Sequence, residues 1–143
     1  MKAFLLLLCA LPLLAQEPAL NDAERKFQET MTNVTMVGYF TSGDKAELKE
    51  DKYTIDRVTK VKEDLWKFEA RIQYNKKDVP IAMSLPVKFA GDTPVISLTN
   101  FAVPGFGSFT ARVLIYGDAY AGTWGDATHG GKLFGKIVKN APK

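Results

Sequence analysis

The stretch Leu65-Trp66-Lys67-Phe68-Glu69-Ala70-Arg71-Ile72-Gln73-Tyr74 decides how the rest of the chain is read. Trp66, Phe68, Ala70, Ile72 and Tyr74 occupy every second position, with Lys67, Glu69, Arg71 and Gln73 between them. A period of two puts alternate side chains on opposite faces of an extended strand. One face is apolar and the other wet, which is the pattern of an antiparallel sheet covered on one side.

Working downstream, Asn75-Lys76-Lys77-Asp78 is a hairpin loop. Val79, Ile81, Met83, Leu85, Val87 and Phe89 then form an unbroken apolar row, with Pro80 and Pro86 on the opposite face. Proline cannot donate to a strand ladder, so this strand is expected at a seam, bent or bulged. A turn at Ala90-Gly91-Asp92-Thr93-Pro94 leads to a strand over Val95–Phe101, and an apolar loop, Val103-Pro104-Gly105-Phe106-Gly107, to another over Ser108–Tyr116. Gly117-Asp118 suits a two-residue II′ turn. Strands over Ala119–Gly125 and Lys132–Lys139 complete the series. Upstream, Thr32–Thr41 reads as a strand, Ala46–Lys52 as a mostly polar connection, and Tyr53–Val61 as the strand that enters the hairpin with Leu65–Tyr74.

Eight short strands joined hairpin to hairpin point to an all-β, up-and-down antiparallel sheet. Closure into an eight-stranded barrel removes both exposed edges and encloses an interior that is either packed or able to hold one small ligand. A two-sheet β-sandwich is the alternative, because alternation alone does not separate the two. Ahead of the strands, Asn21 and Asp22 are helix-capping residues and Ala23-Glu24-Arg25-Lys26-Phe27-Gln28 favours helix. One short helix is expected there, running as far as Met31.

The chain has 143 residues, which is one domain's worth. Met1-Lys2 followed by the apolar run Ala3–Leu14 has the form of a secretory signal peptide, too short to span a bilayer as a helix. Cleavage is expected near Ala15, giving an exported chain, periplasmic or extracellular, with no transmembrane segment. Leu8-Cys9 is a poor lipidation box, since Leu8 is large and the apolar run continues past Cys9. The organisation expected is therefore a signal peptide over 1–15, a lead-in and helix over 16–30, and a barrel domain over 31–143.

The charge balance, 19 basic against 16 acidic residues, is a small surplus. Dispersed as it is, it argues against nucleic acid as a partner. One Cys and one His exclude a disulfide framework and a His-rich metal centre. His129 lies in the loop Asp126-Ala127-Thr128-His129-Gly130-Gly131 and lacks the nucleophile and orienting acid a catalytic base needs. No enzyme activity, metal or cofactor is expected. Asp92, Asp118 and Asp126 sit where turns want an Asp.

Tyr120, Gly122 and Trp124 share one strand face, and Leu133, Gly135 and Ile137 share another on the next strand. Glycines at 122 and 135 leave space in which large rings can lie. Core packing is the plain reading and a ligand floor the sharper one. Arg71 and Arg112 sit mid-strand among apolar neighbours. Each either snorkels outward to an acid or anchors a ligand carboxylate or phosphate. The inward aromatic candidates are Tyr39, Trp66, Phe68, Tyr74, Phe89, Phe109 and Trp124.

Three strings, Ala90-Gly91-Asp92-Thr93-Pro94-Val95, Phe109–Tyr116 and Tyr120-Ala121-Gly122-Thr123-Trp124, resemble a family of short exported bacterial proteins without an assigned activity. The Gly-x-Trp element is also similar to that of lipocalin-type (calycin) barrels, although lipocalins carry it on the first strand and this chain on the seventh. The resemblance implies a bacterial source and a barrel, and no catalytic residues.

Two functions compete. In the first, the barrel binds a small apolar or amphipathic ligand, with Trp66, Tyr74, Arg112, Tyr120 and Trp124 as its contacts. In the second, it is a cell-envelope interaction or structural protein with a solid core, and Phe106 is its exposed contact to an envelope partner.

Overall fold

A computed structural model describes residues 16–74 and 76–142, with the backbone alone for Tyr74. The expected signal peptide lies outside the described residues. One helix, α1 (Asp22–Met31), precedes eight strands: β1 (Val34–Phe40), β2 (Lys49–Lys62), β3 (Leu65–Tyr74), β4 (Lys77–Ala90), β5 (Thr93–Val103), β6 (Gly107–Tyr116), β7 (Ala119–Gly125) and β8 (Gly130–Lys139). They pair antiparallel in sequence order, and β8 returns to β1. The sheet is thus a closed up-and-down barrel and not a sandwich. Among the described residues no helix is long and apolar enough to cross a membrane.

The helix starts where its capping chemistry puts it. Asn21 Oδ1 accepts from the Glu24 amide at 2.9 Å, and the Glu24 carboxylate accepts from the Asn21 amide at 3.0 Å. This reciprocal pair satisfies two of the amide donors that a helix start leaves free. Glu24 also meets Lys60 of β2 at 2.5 Å, with both side chains largely covered. Burial alone would raise the Glu24 pKa. The Lys60 and Asn21 hydrogen bonds and the Lys60 charge outweigh it and hold the carboxyl below its ordinary value.

That anchoring drives Phe27 into one end of the barrel. Its ring meets Trp66 edge-on at 5.0 Å and Phe89 edge-on at 6.0 Å, with Phe68 at 6.3 Å. Met31, Val34, Val58 and Val87 are buried around it. Edge-to-face rings satisfy the aromatic quadrupole while burying large areas, so this end is sealed by a dry plug.

β4 carries the seam its prolines imply. It pairs with β3 over Lys77–Pro86, but with β5 only from Val87–Ile96 to Ala90–Thr93. The Val87 amide donates toward β3, to the Asp64 carbonyl at 2.8 Å. Backbone direction alternates along an antiparallel strand, so Pro86 turns toward β5. In register, Pro86 faces Ser97 on the next rung, and it has no N–H to give. The ladder stops there. Beyond it Val79, Ile81, Met83 and Leu85 are only half-buried, whereas Val87 is fully buried.

β5 bends away from this seam through a one-residue bulge between Leu98 and Phe101. Arg112 holds the bulge from β6: its guanidinium donates to the Leu98 carbonyl, to the Ala111 carbonyl at 2.8 Å and to Thr99 Oγ1 at 3.0 Å. Thr110 Oγ1 accepts from the Asn100 amide at 3.1 Å.

Candidate functional site

Inside the barrel, away from α1, the residues of one cross-strand row are Tyr120, Gly135, Gly38 and Asp51 on β7, β8, β1 and β2. The two glycines let the Tyr120 ring lie across their strands. A Cβ at Gly135 would stand 2.6 Å from the Tyr120 hydroxyl, and one at Gly38 closer still. The phenol therefore reaches Asp51, donating to Oδ1 at 3.3 Å, while Tyr53 donates to Oδ2 at 2.8 Å. Asp51 is 6% exposed. Burial pushes its pKa up, and the two phenol hydrogen bonds oppose the rise without cancelling it. Burial, and then the Asp51 charge, raise the Tyr120 pKa well above that of a free phenol. Both groups hold the barrel wall in shape.

Trp124 lies farther toward the mouth. Its Nε1 donates to the Thr41 carbonyl at 2.9 Å, and its ring meets Phe40 edge-on at 5.8 Å and Phe109 at 6.5 Å. These three rings cross the end opposite the helix.

One residue along from the inward row, the same strands face outward. Val37 and Tyr39 on β1, Glu50 and Lys52 on β2, Gln73 on β3 and Asp78 on β4 line a cleft of about 600 Å³. Gly38 and Asp51 contribute from between them, and Lys76 and Lys77 from the β3–β4 hairpin form its remaining side. The volume falls within the range of small-molecule sites. Strand alternation puts this cleft on the outer wall of the barrel. Its base is a cross-strand row, Val37–Lys52–Gln73–Asp78.

The cleft is amphipathic. Val37 and Tyr39 supply apolar surface on one side, and Lys52, Lys76 and Lys77 bring three ammonium groups to the other. Both Asp78 oxygens are occupied, by Arg71 at 2.8 Å and by Gln73 Nε2 at 3.2 Å. Lys77 stands 5.5 Å from the centre of the Phe106 ring, a cation–π distance.

The residues singled out from sequence are scattered. Trp66 is wholly buried in the helix plug, and its Nε1 has no hydrogen-bond partner among the described residues. Tyr120 belongs to the Asp51 row and Trp124 to the mouth. Tyr74 ends β3 beside the hairpin. Arg112 is exposed on the outer wall and tied to the β5 bulge, which is not the posture of an interior ligand anchor. Of these five, the structure brings Trp66, Arg112, Tyr120 and Trp124 to four separate places, and none of the four lines the cleft. Phe106 is half-buried, not exposed, and Lys77 stands over its ring. Tyr39, expected inside, is 41% exposed and points outward, its ring tilted against Phe134 at 6.1 Å. Gly38 takes the inward position because Tyr120 needs that space. Gly122 houses no ring. A Cβ there would strike the Arg112 carbonyl, so its bareness serves the close approach of β6 and β7.

Three residues carry what sequence reasoning missed: Asp51, Lys52 and Gly38. The run Lys49–Lys52 is charged and reads as a connection, yet it is the start of β2. A signal was present in Asp51-Lys52-Tyr53, an alternation that continues into Ile55. His129 sits in a local turn. Asp126 Oδ1 accepts from the Thr128 and His129 amides at 2.8 and 2.7 Å, which holds its carboxyl below the usual range. Thr128 Oγ1 is 2.6 Å from His129 Nδ1. Among the described residues no three His, Cys, Asp or Glu side chains converge as metal ligands would. In comparisons with known proteins the chain matches no protein-family model, no curated protein and no solved structure.

Proposed function

We propose that the protein is an exported small β-barrel that binds a small amphipathic ligand carrying an anionic group, and that the outer-wall cleft is where it binds. The cleft itself carries this reading: about 600 Å³ in volume, with Val37 and Tyr39 on one side and Lys52, Lys76 and Lys77 on the other. Asp78 is already committed to Arg71 and Gln73, and Glu50 is the other exposed carboxylate of the lining, so three lysines leave the cleft net positive toward an incoming ligand. Dodecyl phosphate joins an acyl-like tail to an anionic head and serves as a probe. Calorimetric titration should give saturable one-to-one binding. Lys52→Glu with Lys76→Glu should weaken it about tenfold or more, since each reversal turns a close charge attraction into repulsion. Lys67→Glu, on the outer wall of β3 but outside the cleft, should leave it unchanged. Absence of saturable binding, or equal loss in both variants, overturns the reading.

The competing role, an envelope interaction protein with a solid core, draws support from the helix plug and the ring cluster at the mouth. A wild-type protein that ignores the probe but co-purifies with an envelope protein from its own host would establish it. Export rests on Met1–Ala15. An intact mass beginning near Gln16 is the expected result, and a retained leader would refute it.

A further inference from the structure

The outer wall carries a second feature beside the cleft. Register aligns Val95, Leu114, Ala121, Phe134 and Tyr39 in one outward row across β5, β6, β7, β8 and β1. Leu114 is 43% exposed and Phe134 is 45% exposed. The next outward row adds Tyr116, at 70% exposure, Ala119 and Val37. Outward strand positions in a water-soluble barrel ordinarily alternate to polar residues, so an apolar stripe five strands wide calls for an occupant.

Charge identifies that occupant. Arg112 and Lys132 belong to the row on one side of the stripe, and Lys136 interrupts the row on the other. Two acids border the stripe, Asp118 at 3.6 Å from Lys136 and Glu50, the register partner of Tyr39, so basic residues remain in excess around it. Five strands cover a width of about 24 Å and two outward rows a length of about 14 Å, so the patch is on the order of a few hundred Å². A stable pair of proteins needs roughly 800 Å² from each partner. Two copies meeting here would also bring like-charged rims together. A leaflet of anionic lipid has neither difficulty: apolar side chains enter the headgroup layer, and lysines meet phosphates along its edge.

We infer that this face of the barrel docks on an anionic phospholipid surface. Leu114, Phe134 and Tyr39 enter the interface, and Arg112, Lys132 and Lys136 lie against the headgroups. The inference stands on the stripe and not on the cleft, although Val37 and Tyr39 border both. It also gives the cleft's anionic amphiphile a source, the lipid of the same surface.

The test is sedimentation of the protein, as its host produces it, with vesicles of phosphatidylcholine alone and of phosphatidylcholine mixed with phosphatidylglycerol. Binding is expected to the mixed vesicles, to weaken with salt, and to be much lower on phosphatidylcholine. Leu114→Ser with Phe134→Ser should reduce it about tenfold or more. Lys132→Glu with Lys136→Glu should reduce it at least about fivefold. These side chains are exposed, so unchanged circular dichroism and melting confirm that the fold survives. Vesicle binding by the serine variant equal to wild type, absence of binding to either vesicle, or a dimer that the serine variant dissolves would each overturn the docking. Lys52→Glu with Lys76→Glu, read with dodecyl phosphate, reports on the cleft separately, so failure of one idea is not failure of the other.

Discussion

The inner and outer faces of β1 and β2 differ by one residue in sequence and by everything in role. Gly38 and Asp51 face in, beneath Tyr120, where a Cβ at Gly38 would collide with the Tyr120 hydroxyl and Asp51 accepts from that hydroxyl. Val37, Tyr39 and Lys52 face out and line a cleft. The inward positions are constrained by atoms from β7 and β8, so substitutions there are paid in stability. The outward positions touch solvent and are free to take a chemistry the fold does not need. In a barrel with a period of two, the scaffold and the candidate site thus alternate along the same strands.

The strongest way to probe the inner face is Phe27→Ala. It removes the ring that seals one end against Trp66, Phe68 and Phe89, and should cost about 3–5 kcal/mol in urea unfolding. Phe109→Ala, in the half-buried mouth cluster, should cost clearly less; equal losses would contradict the difference between the two ends. Next comes Gly38→Ala, which places a methyl against the Tyr120 hydroxyl and the Phe134 carbonyl. About 1–3 kcal/mol should be lost, the range for overpacking. A neutral result would mean that Tyr120 does not need the space.

Pro86→Val tests the seam. It restores the N–H that would face Ser97 and should extend the β4–β5 ladder, adding about 0.5–1.5 kcal/mol and slowing amide exchange at the seam. Destabilisation would show that the ladder ends for another reason. The outer face should respond least: Val37→Ser or Tyr39→Ser is expected to stay within about 0.5 kcal/mol of wild type while weakening probe binding. A large stability loss there would erase the contrast between the faces.

A pH series with Asp51→Asn sharpens the same contrast by sign. The folded Asp51 pKa lies above its ordinary value, so the folded protein holds that proton more tightly. Its contribution is full at pH below the ordinary carboxyl value and is lost as pH rises through the raised folded value. Wild type should therefore lose stability relative to the Asn variant over that rise. Glu24, whose pKa is lowered, contributes with the opposite sign, losing stability as pH falls, but it is present in both proteins and cancels from the difference. A flat difference would mean that Asp51 is not desolvated.

Legibility followed the range of the interaction. β3 and β7 can be read to the residue because their alternation is complete within the segment. The seam at β4 could be anticipated because a missing N–H is a property of proline itself. The first residues of β2 were hidden because four charged or polar neighbours look like a connection until Tyr120 is known to stand over Asp51. Tyr39 misled because size alone argued that it points inward, when a ring from β7 already held that space. The candidate cleft was hidden for the same reason: Tyr39, Lys52 and Lys76 become neighbours only when β1, β2 and the β3–β4 hairpin are laid side by side.

What the amino-acid sequence determined by itself was whatever depends on adjacent residues: eight strands, a capped helix, the alternation of faces, and a strand whose prolines refuse a partner. Closure, the register that stacks Tyr120 over two glycines onto a carboxylate 69 positions away, and the gathering of an apolar stripe from five strands were decided by tertiary structure. Period-two patterning says which way a side chain points. Which side chains it meets across the sheet depends on pairing between distant segments, and that is settled by packing the whole interior at once.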